Sequence, residues 1–208
     1  MDAEATRPLV RRARDDDEAA AVPLLFASGG VLYERYAGSR AAALRLLSAA
    51  FRRPGNNASA EVVWIAERDG RVAGVMAAFP VVEGAHRARS FLALSLRRLP
   101  PWRWLRAWRV FHGLRPTPPT RALYVDALAT APDSRRAGVG SALLAHAVAL
   151  ARERGCTHLA LETEIENAAA RALYRSAGFE ETDVLPHVEP NLGEGYVCLV
   201  RPLVAPSG

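Results

Sequence analysis

The chain predicts a single α/β domain, on three observations. About seven apolar, strand-like runs alternate with helical patterns along its 208 residues. Two of these runs flank Arg68-Asp69-Gly70, a strong hairpin signal. A third, starting at Leu123, passes through a glycine-bearing turn straight into an apolar helix. Half of the residues are apolar, enough for a substantial core.

In chain order, residues 1–8 read as a loose tail and 9–14 as the first strand. Asp15-Asp16-Asp17-Glu18 then supplies an N-cap and an acidic first turn for a helix reaching about Ser28. Helix capping accounts for that acidic run more simply than a metal cluster does. Gly29-Gly30 breaks the chain. Residues 32–36 and 39–51 are helical, with Ser39 as cap and Leu44, Leu47 and Phe51 on one face. Pro54-Gly55-Asn56-Asn57 is a loop, and 61–67 and 71–80 make the hairpin. Beyond the central strand, 141–153 is a helix ended by Gly155 and 158–163 a strand. A helix capped by Asn167 closes at Gly178, and 179–184 and 195–203 are the last strands.

Composition narrows the class. No run approaches the ~20 apolar residues of a membrane span, and the acidic start is not a secretory signal. Cys156 and Cys198 stand far apart in apolar surroundings, as reduced thiols of a cytoplasmic protein, with no metal-site spacing. The net charge of +5 is carried by arginine alone, since the chain has no lysine. Such a balance favours anionic ligands.

The segment 84–120 stands out. Nine arginines lie between Arg87 and Arg121 with no acidic residue among them, together with Trp102, Trp104 and Trp108. Residues 90–99 form one short helix, ended by Pro100-Pro101. On a wheel over 102–113, Trp104, Leu105, Trp108, Phe111 and His112 fall on one side and Arg103, Arg106 and Arg109 on another. The simplest expectation packs the aromatic face on the domain and leaves the arginines solvated, before Pro116-Thr117-Pro118-Pro119 breaks the helix. A lid over an acceptor site comes second. A dimer-forming element or a surface for anionic lipid or nucleic acid are further readings, nucleic acid being disfavoured because no recognition motif accompanies the segment.

The stretch from Leu123 to Leu144, LYVDALATAPDSRRAGVGSALL, carries the chemistry. A strand feeding a glycine turn that opens a helix leaves several N–H groups pointing one way, with the positive end of the helix dipole behind them. That suits a phosphate, and Gly138 and Gly140 let the backbone approach it. A Walker loop needs Gly-Lys, which is absent, and a dinucleotide fingerprint needs glycine where Leu143 stands. Leu128-Ala129-Thr130, Pro132, Arg135, Gly138 and Gly140 instead resemble the Arg-x-x-Gly-x-Gly turn of the GNAT superfamily of acyl-CoA-dependent N-acyltransferases, with Thr130 where Val is commoner. Leu159-x-Leu161-Glu162-Thr163, Asn167, Ala170, Leu173-Tyr174 and Gly178-Phe179 resemble the same family's second block, in the same order.

The resemblance implies a GNAT fold over 1–208: a mixed, strongly twisted sheet of about seven strands flanked by helices, with 84–120 as a helical insert between strands 3 and 4. It implies acetyl-CoA as acyl donor, an amine as acceptor, and no metal. Leu128, Ala129 and Thr130 would lie along the pantetheine arm, with the amide of Leu128 or Ala129 as oxyanion donor. Arg135, Arg136, Ala137, Gly138, Val139, Gly140 and Ser141 would receive the pyrophosphate. Asn167 would hydrogen-bond the arm, unless it is only a helix cap. Tyr174 matches the general acid, and with an unperturbed pKa of ~10 it is protonated at neutral pH. Three carboxylates compete as base: Glu162 first, then Asp126, then Glu164. Phe26, Tyr33 and Tyr36 either line the acceptor pocket or pack in the core. No Ser/His/Asp or Cys/His arrangement suggests a covalent acyl-enzyme. A non-catalytic acyl-CoA-binding module, or a basic protein binding nucleic acid or membrane surfaces, are the alternatives. A homodimer stays open.

Overall fold

The computed structural model describes residues 7–113, 118–186 and 194–203. The chain runs β1 (Leu9–Arg12), α1 (Glu18–Ser28), α2 (Gly30–Ala37), α3 (Arg40–Phe51), β2 (Val63–Arg68) and β3 (Arg71–Pro80). It continues through α4 (Val81–Arg98), α5 (Trp104–Gly113), β4 (Ala122–Thr130), α6 (Val139–Glu153), β5 (His158–Glu164), α7 (Ala168–Ser176), β6 (Glu180–Leu185) and β7 (Tyr196–Pro202). The tail over 1–6, the breaker residues 116–117, and the side chains of Phe111 and His112 fall outside the described residues.

The strands form one seven-stranded sheet in the order β1-β2-β3-β4-β5-β7-β6. Only β4 and β5 pair in parallel; the other neighbours are antiparallel, so the sheet is mixed as expected. The predicted hairpin is present, with Asp69 (φ 52°) and Gly70 (φ 71°) both left-handed, the backbone that matches the twist of the strands. Apolar side chains alternate across the strands and bury two clusters, one per face. The first lies under α1–α5 and holds Leu25, Leu47, Phe51 and Ile65. The second lies under α6 and α7 and holds Met76, Leu123, Leu143 and Leu159.

Three local expectations are corrected. The acidic run is a single 3-10 turn, Asp15–Asp17, and no side chain caps α1. Asp17 is buried and takes a two-pronged hydrogen bond from Arg11 (2.7 and 2.8 Å) and another from the Arg14 amide (2.7 Å). It ties the first strand to the turn. The helix expected at 90–99 starts at Val81, directly after β3. Its polar first turns are held by Arg87, which bonds Glu83 (2.7 Å) one turn back and Glu61 (2.6 Å) across the chain.

The third correction concerns α5, whose aromatic face is exposed instead of packed, although Arg109 is solvated as expected. Ala107 is fully buried, whereas Trp102, Leu105, Trp108 and Trp104 are 80, 67, 53 and 45% exposed. Arg103 and Arg106 are only partly exposed. Arg103 donates to the carbonyl of Arg35 (2.9 Å), in the last turn of α2. A Cβ on the following Gly38 would overlap that guanidinium. A cation held at the negative end of α2 outweighs the usual preference for burying indoles.

One glycine fixes how closely α6 approaches the sheet. Gly74 of β3 lies beneath Val139 and Leu143, and an added Cβ would stand 2.6 Å from Val139 Cγ1 and 3.0 Å from the Ala129 carbonyl oxygen. Backbone cannot yield as a flexible side chain does. Gly74→Ala should therefore destabilise the protein by about 1–3 kcal/mol, read as a lower urea midpoint. A midpoint within error of the wild type would show that the helix has room to spare.

Candidate active site

The site is created where two central strands part. β4 and β5 are in register from Ala122↔His158 to Val125↔Leu161, and no further pairing joins them. β4 nonetheless continues to Thr130 and β5 to Glu164. The break coincides with a bulge. Ala78 pairs with Val125 and Ala77 with Ala127, leaving Asp126 as an extra residue.

The bulge reverses the alternation of side chains. Leu123 and Val125 belong to the α6 face, while Ala127 and Ala129 belong to the α1 face and Leu128 packs on the α6 side. The simple alternation that puts Asp126 and Leu128 on one face therefore fails. Backbone direction follows as well. The Ala131 amide donates to the Ala73 carbonyl (2.8 Å), so alternate residues Ala129 and Ala127 also turn their backbone groups to β3. Those of Leu128 and Thr130 face the open edge. Of the two amides considered for an oxyanion, only that of Leu128 faces the splay.

Beyond Thr130 the chain makes one 3-10 turn, Pro132–Ser134. Arg136 (φ 60°) and Gly138 (φ 76°) are left-handed, and α6 begins at Val139. No side chain caps this helix, and no amide from Arg135 to Ser141 has an acceptor among the described residues. Arg135, Arg136, Gly138 and Ser141 are exposed. A Cβ on Gly138 would meet nothing within 4 Å, so the turn is open at that point. The two glycines differ in purpose. Gly140 is buried, and its Cβ position lies 2.9 Å from Leu173 Cδ2. It admits α7 against α6, while Gly138 supplies the turn. Positively polarised donors on an open bend suit a phosphate or diphosphate.

On the α1 face, the strands bring together groups far apart in sequence. The Tyr124 hydroxyl donates to Glu162 (2.9 Å), and Asn57 donates to Asp126 (3.1 Å). Burial pushes the Glu162 carboxyl up from 4.5 to about 7, with the Tyr124 bond opposing and the charge of Asp126 adding. Burial likewise raises Asp126 to about 6 against the Asn57 bond. The Tyr124 phenol is raised well above its ordinary value by burial, then by Glu162 and Asp126. Tyr33 is raised by burial and then by Asp126. Glu162 faces Cys198 across the β5–β7 ladder, and Asp183 faces Cys198 across β6–β7. Burial, then Glu162 and Asp183, raises the Cys198 thiol to about 11. A cavity of about 220 Å³ opens here, lined by Pro118, Tyr124, Glu162, Thr182, Asp183 and Cys198 among others.

Tyr174 is on the other side of the sheet. It is buried in the α6–α7 cluster, its ring edge-on to Phe179 at 5.8 Å, and burial alone raises its phenol to about 12. Asn167 caps α7 by accepting from the Ala170 amide (3.1 Å). Glu164 is exposed. Phe26 and Tyr36 are core residues, and of the three aromatic candidates Tyr33 alone is electrostatically coupled to Asp126. Sequence reasoning missed Tyr124, although strand alternation puts it on the side of Asp126, two positions on. It also missed Asn57, which carried no signal beyond its loop.

The sequence matches the model of the acetyltransferase (GNAT) family over residues 33–179. Among curated proteins it is 43% identical over 63 residues to the [ribosomal protein bS18]-alanine N-acetyltransferase of Escherichia coli K12, covering 30% of this chain and 43% of that one. It is 44% identical over 52 residues to an aminoglycoside N(6')-acetyltransferase type 1 of Stenotrophomonas maltophilia, covering 25% and 34% of the two. Both matches span less than half of the relative's length. A crystal structure of an acetyltransferase superposes with a TM-score of 0.70 at 20% identity, over 93% of this chain and 98% of that one.

The raised carboxyl of Glu162 sets a pH dependence of stability. Its folded pKa of about 7 exceeds the ordinary 4.5, so the folded state holds more protons between these values. Stability then falls as pH rises from 4.5 to 7. Urea denaturation over this range should show the decline, and Glu162→Gln should flatten it. An unchanged slope in the variant would place the proton elsewhere.

Proposed function

Because the chain belongs to the GNAT acetyltransferase family, we propose that it moves an acetyl group from acetyl-CoA directly to a primary amine, within a ternary complex. The observation that carries this reading is the parting of β4 from β5 between an open diphosphate-shaped turn and a carboxylate pair. The donor fits what is present: uncapped amides and two exposed arginines at the turn, then an unpaired strand edge along Leu128 and Thr130. Bound there, acetyl-CoA supplies the acetyl group as a thioester.

The chain's own groups then have separate tasks. The amides from Arg136 to Ser141, with Arg135 and Arg136, hold the diphosphate. The edges of Leu128 and Thr130 align the arm in strand fashion, and the Leu128 amide faces the developing oxyanion. The Asn167 side chain keeps its amide NH₂ as a donor while its oxygen caps α7. Glu162 takes the proton of the incoming ammonium, since an ammonium has no lone pair. A carboxyl near 7 is matched to that task, and Tyr124 fixes its orientation. Asp126 keeps the Glu162 proton affinity high and is the reserve base. Tyr174, protonated well past neutrality, gives its proton to the departing thiolate. Acid and base thus work from opposite faces of the sheet, through the gap between the strands.

The acceptor enters by the cavity of Glu162, Tyr124 and Asp183, whose carboxylates favour a cationic amine. The names of the two relatives, one acting on an alanine and one on an aminoglycoside nitrogen, support an amine acceptor without selecting one. Cys156 and Cys198 stand as free thiols, in keeping with a cytoplasmic enzyme.

Tyr174→Phe tests the assignment. Turnover should fall by about 10²–10⁴-fold, while calorimetry finds acetyl-CoA affinity within about twofold of the wild type. An unchanged steady-state rate would remove Tyr174 from the mechanism.

A further inference from the structure

The outward-facing indoles beside α5 have no part in acetyl transfer. Trp102 and Leu105 are 80 and 67% exposed, one helical turn apart, with Trp108 (53%) on the same side. Arg103 and Arg106 are only partly exposed on the other side, while Arg109 is solvated. Arg103 is anchored on α2 through the Arg35 carbonyl, so the orientation is set by a specific bond rather than by an undecided surface.

The charge along this stretch of chain has one sign, although the neighbouring α2 carries the exposed Glu34. Between residues 84 and 125 the sequence has no Asp or Glu, and Arg97, Arg98 and Arg109, which flank the indoles in the chain, are exposed. An apolar patch with a mainly basic border has few suitable partners. A second copy meeting through the same face would bring arginine against arginine, which charge repulsion opposes. Leu105 offers a base neither a stacking plane nor a hydrogen bond, so single-stranded nucleic acid would leave it unused. An anionic lipid surface uses every part: indoles at headgroup depth, leucine among the acyl chains, guanidinium groups on the phosphates.

We propose that the Trp102–Trp108 face is a peripheral docking surface for anionic lipid membranes. No helix among the described residues is long and apolar enough to cross a bilayer, so the contact is lateral. The helix lies parallel to the surface with Trp102 and Leu105 inserted. Docking brings α2, which Arg103 just before α5 grips and which carries Tyr33, close to the membrane.

The test is flotation of the full chain with vesicles of phosphatidylcholine containing phosphatidylglycerol, against pure phosphatidylcholine. Binding to the anionic vesicles should weaken with salt and blue-shift tryptophan fluorescence. The double variant Trp102→Ser, Leu105→Ser should lose about tenfold or more in affinity. Because these side chains are exposed, it should keep the wild-type melting temperature. A second variant, Arg97→Glu with Arg98→Glu, should lose binding by charge alone. Equal binding to neutral vesicles, undiminished binding by both variants, or no vesicle binding would overturn the proposal. So would a dimer that the serine variant dissociates, or an oligonucleotide bound through Trp102 in place of vesicles.

Discussion

The end of pairing between β4 and β5 at Val125↔Leu161 is the constraint on which the site depends. A parallel pair that stayed closed would satisfy the edges of Leu128 and Thr130 and leave no passage from one face to the other. The extra residue at Asp126 opens it. It shifts the β4 register by one against β3, turns a carboxylate toward Glu162 and Tyr33, and leaves the next backbone groups unpaired. The gap then leads to the turn at Gly138, whose helix is kept close to β3 by the missing side chain of Gly74. Removing any one of these features misplaces the others.

Electrostatics make the same place unfavourable in the resting fold and suitable for proton transfer. Two carboxyls share a poorly solvated corner of the sheet, and each is raised mainly by burial. Tyr124 and Asn57 supply hydrogen bonds that partly offset the burial. The result is a pair of carboxyls whose affinity for protons lies near neutrality, where a group proposed to take a proton from an ammonium is most useful. Tyr174 has the reverse arrangement, a phenol in an apolar cluster that raises it and keeps it protonated. Under the proposed roles, two environments on opposite faces thus separate the acid from the base.

Much of this was legible in the residues. Strand and helix order, the Asp69-Gly70 hairpin, the Ser39 and Asn167 caps and the turn at Gly138 all follow local rules that act over a few residues. Glu162 and Tyr174 follow from the resemblance to the family's second block, and Asp126 from its place in the strand before the turn. What escaped depends on pairing between distant segments. Asn57 meets Asp126 across 69 residues and Tyr124 meets Glu162 across 38, and neither pairing has a local signature. The bulge was invisible because it is defined by the partner strand. The orientation of α5 was misread because a helical wheel knows nothing of the Arg35 carbonyl that draws Arg103 inward. That Gly140 also admits Leu173 of α7 against α6 has no local signature either.

The most direct test of acetyl transfer is thiol release from acetyl-CoA across a panel of primary amines, comprising amino acid amides, peptides, aminoglycosides and polyamines. At least one amine should drive release at a rate that saturates with both substrates. A Gly138→Glu protein, with bulk and negative charge set in the turn proposed for the diphosphate, should stay at the enzyme-free rate. Tight calorimetric binding of acetyl-CoA with no thiol released for any amine would contradict transfer and leave a coenzyme-binding module in its place.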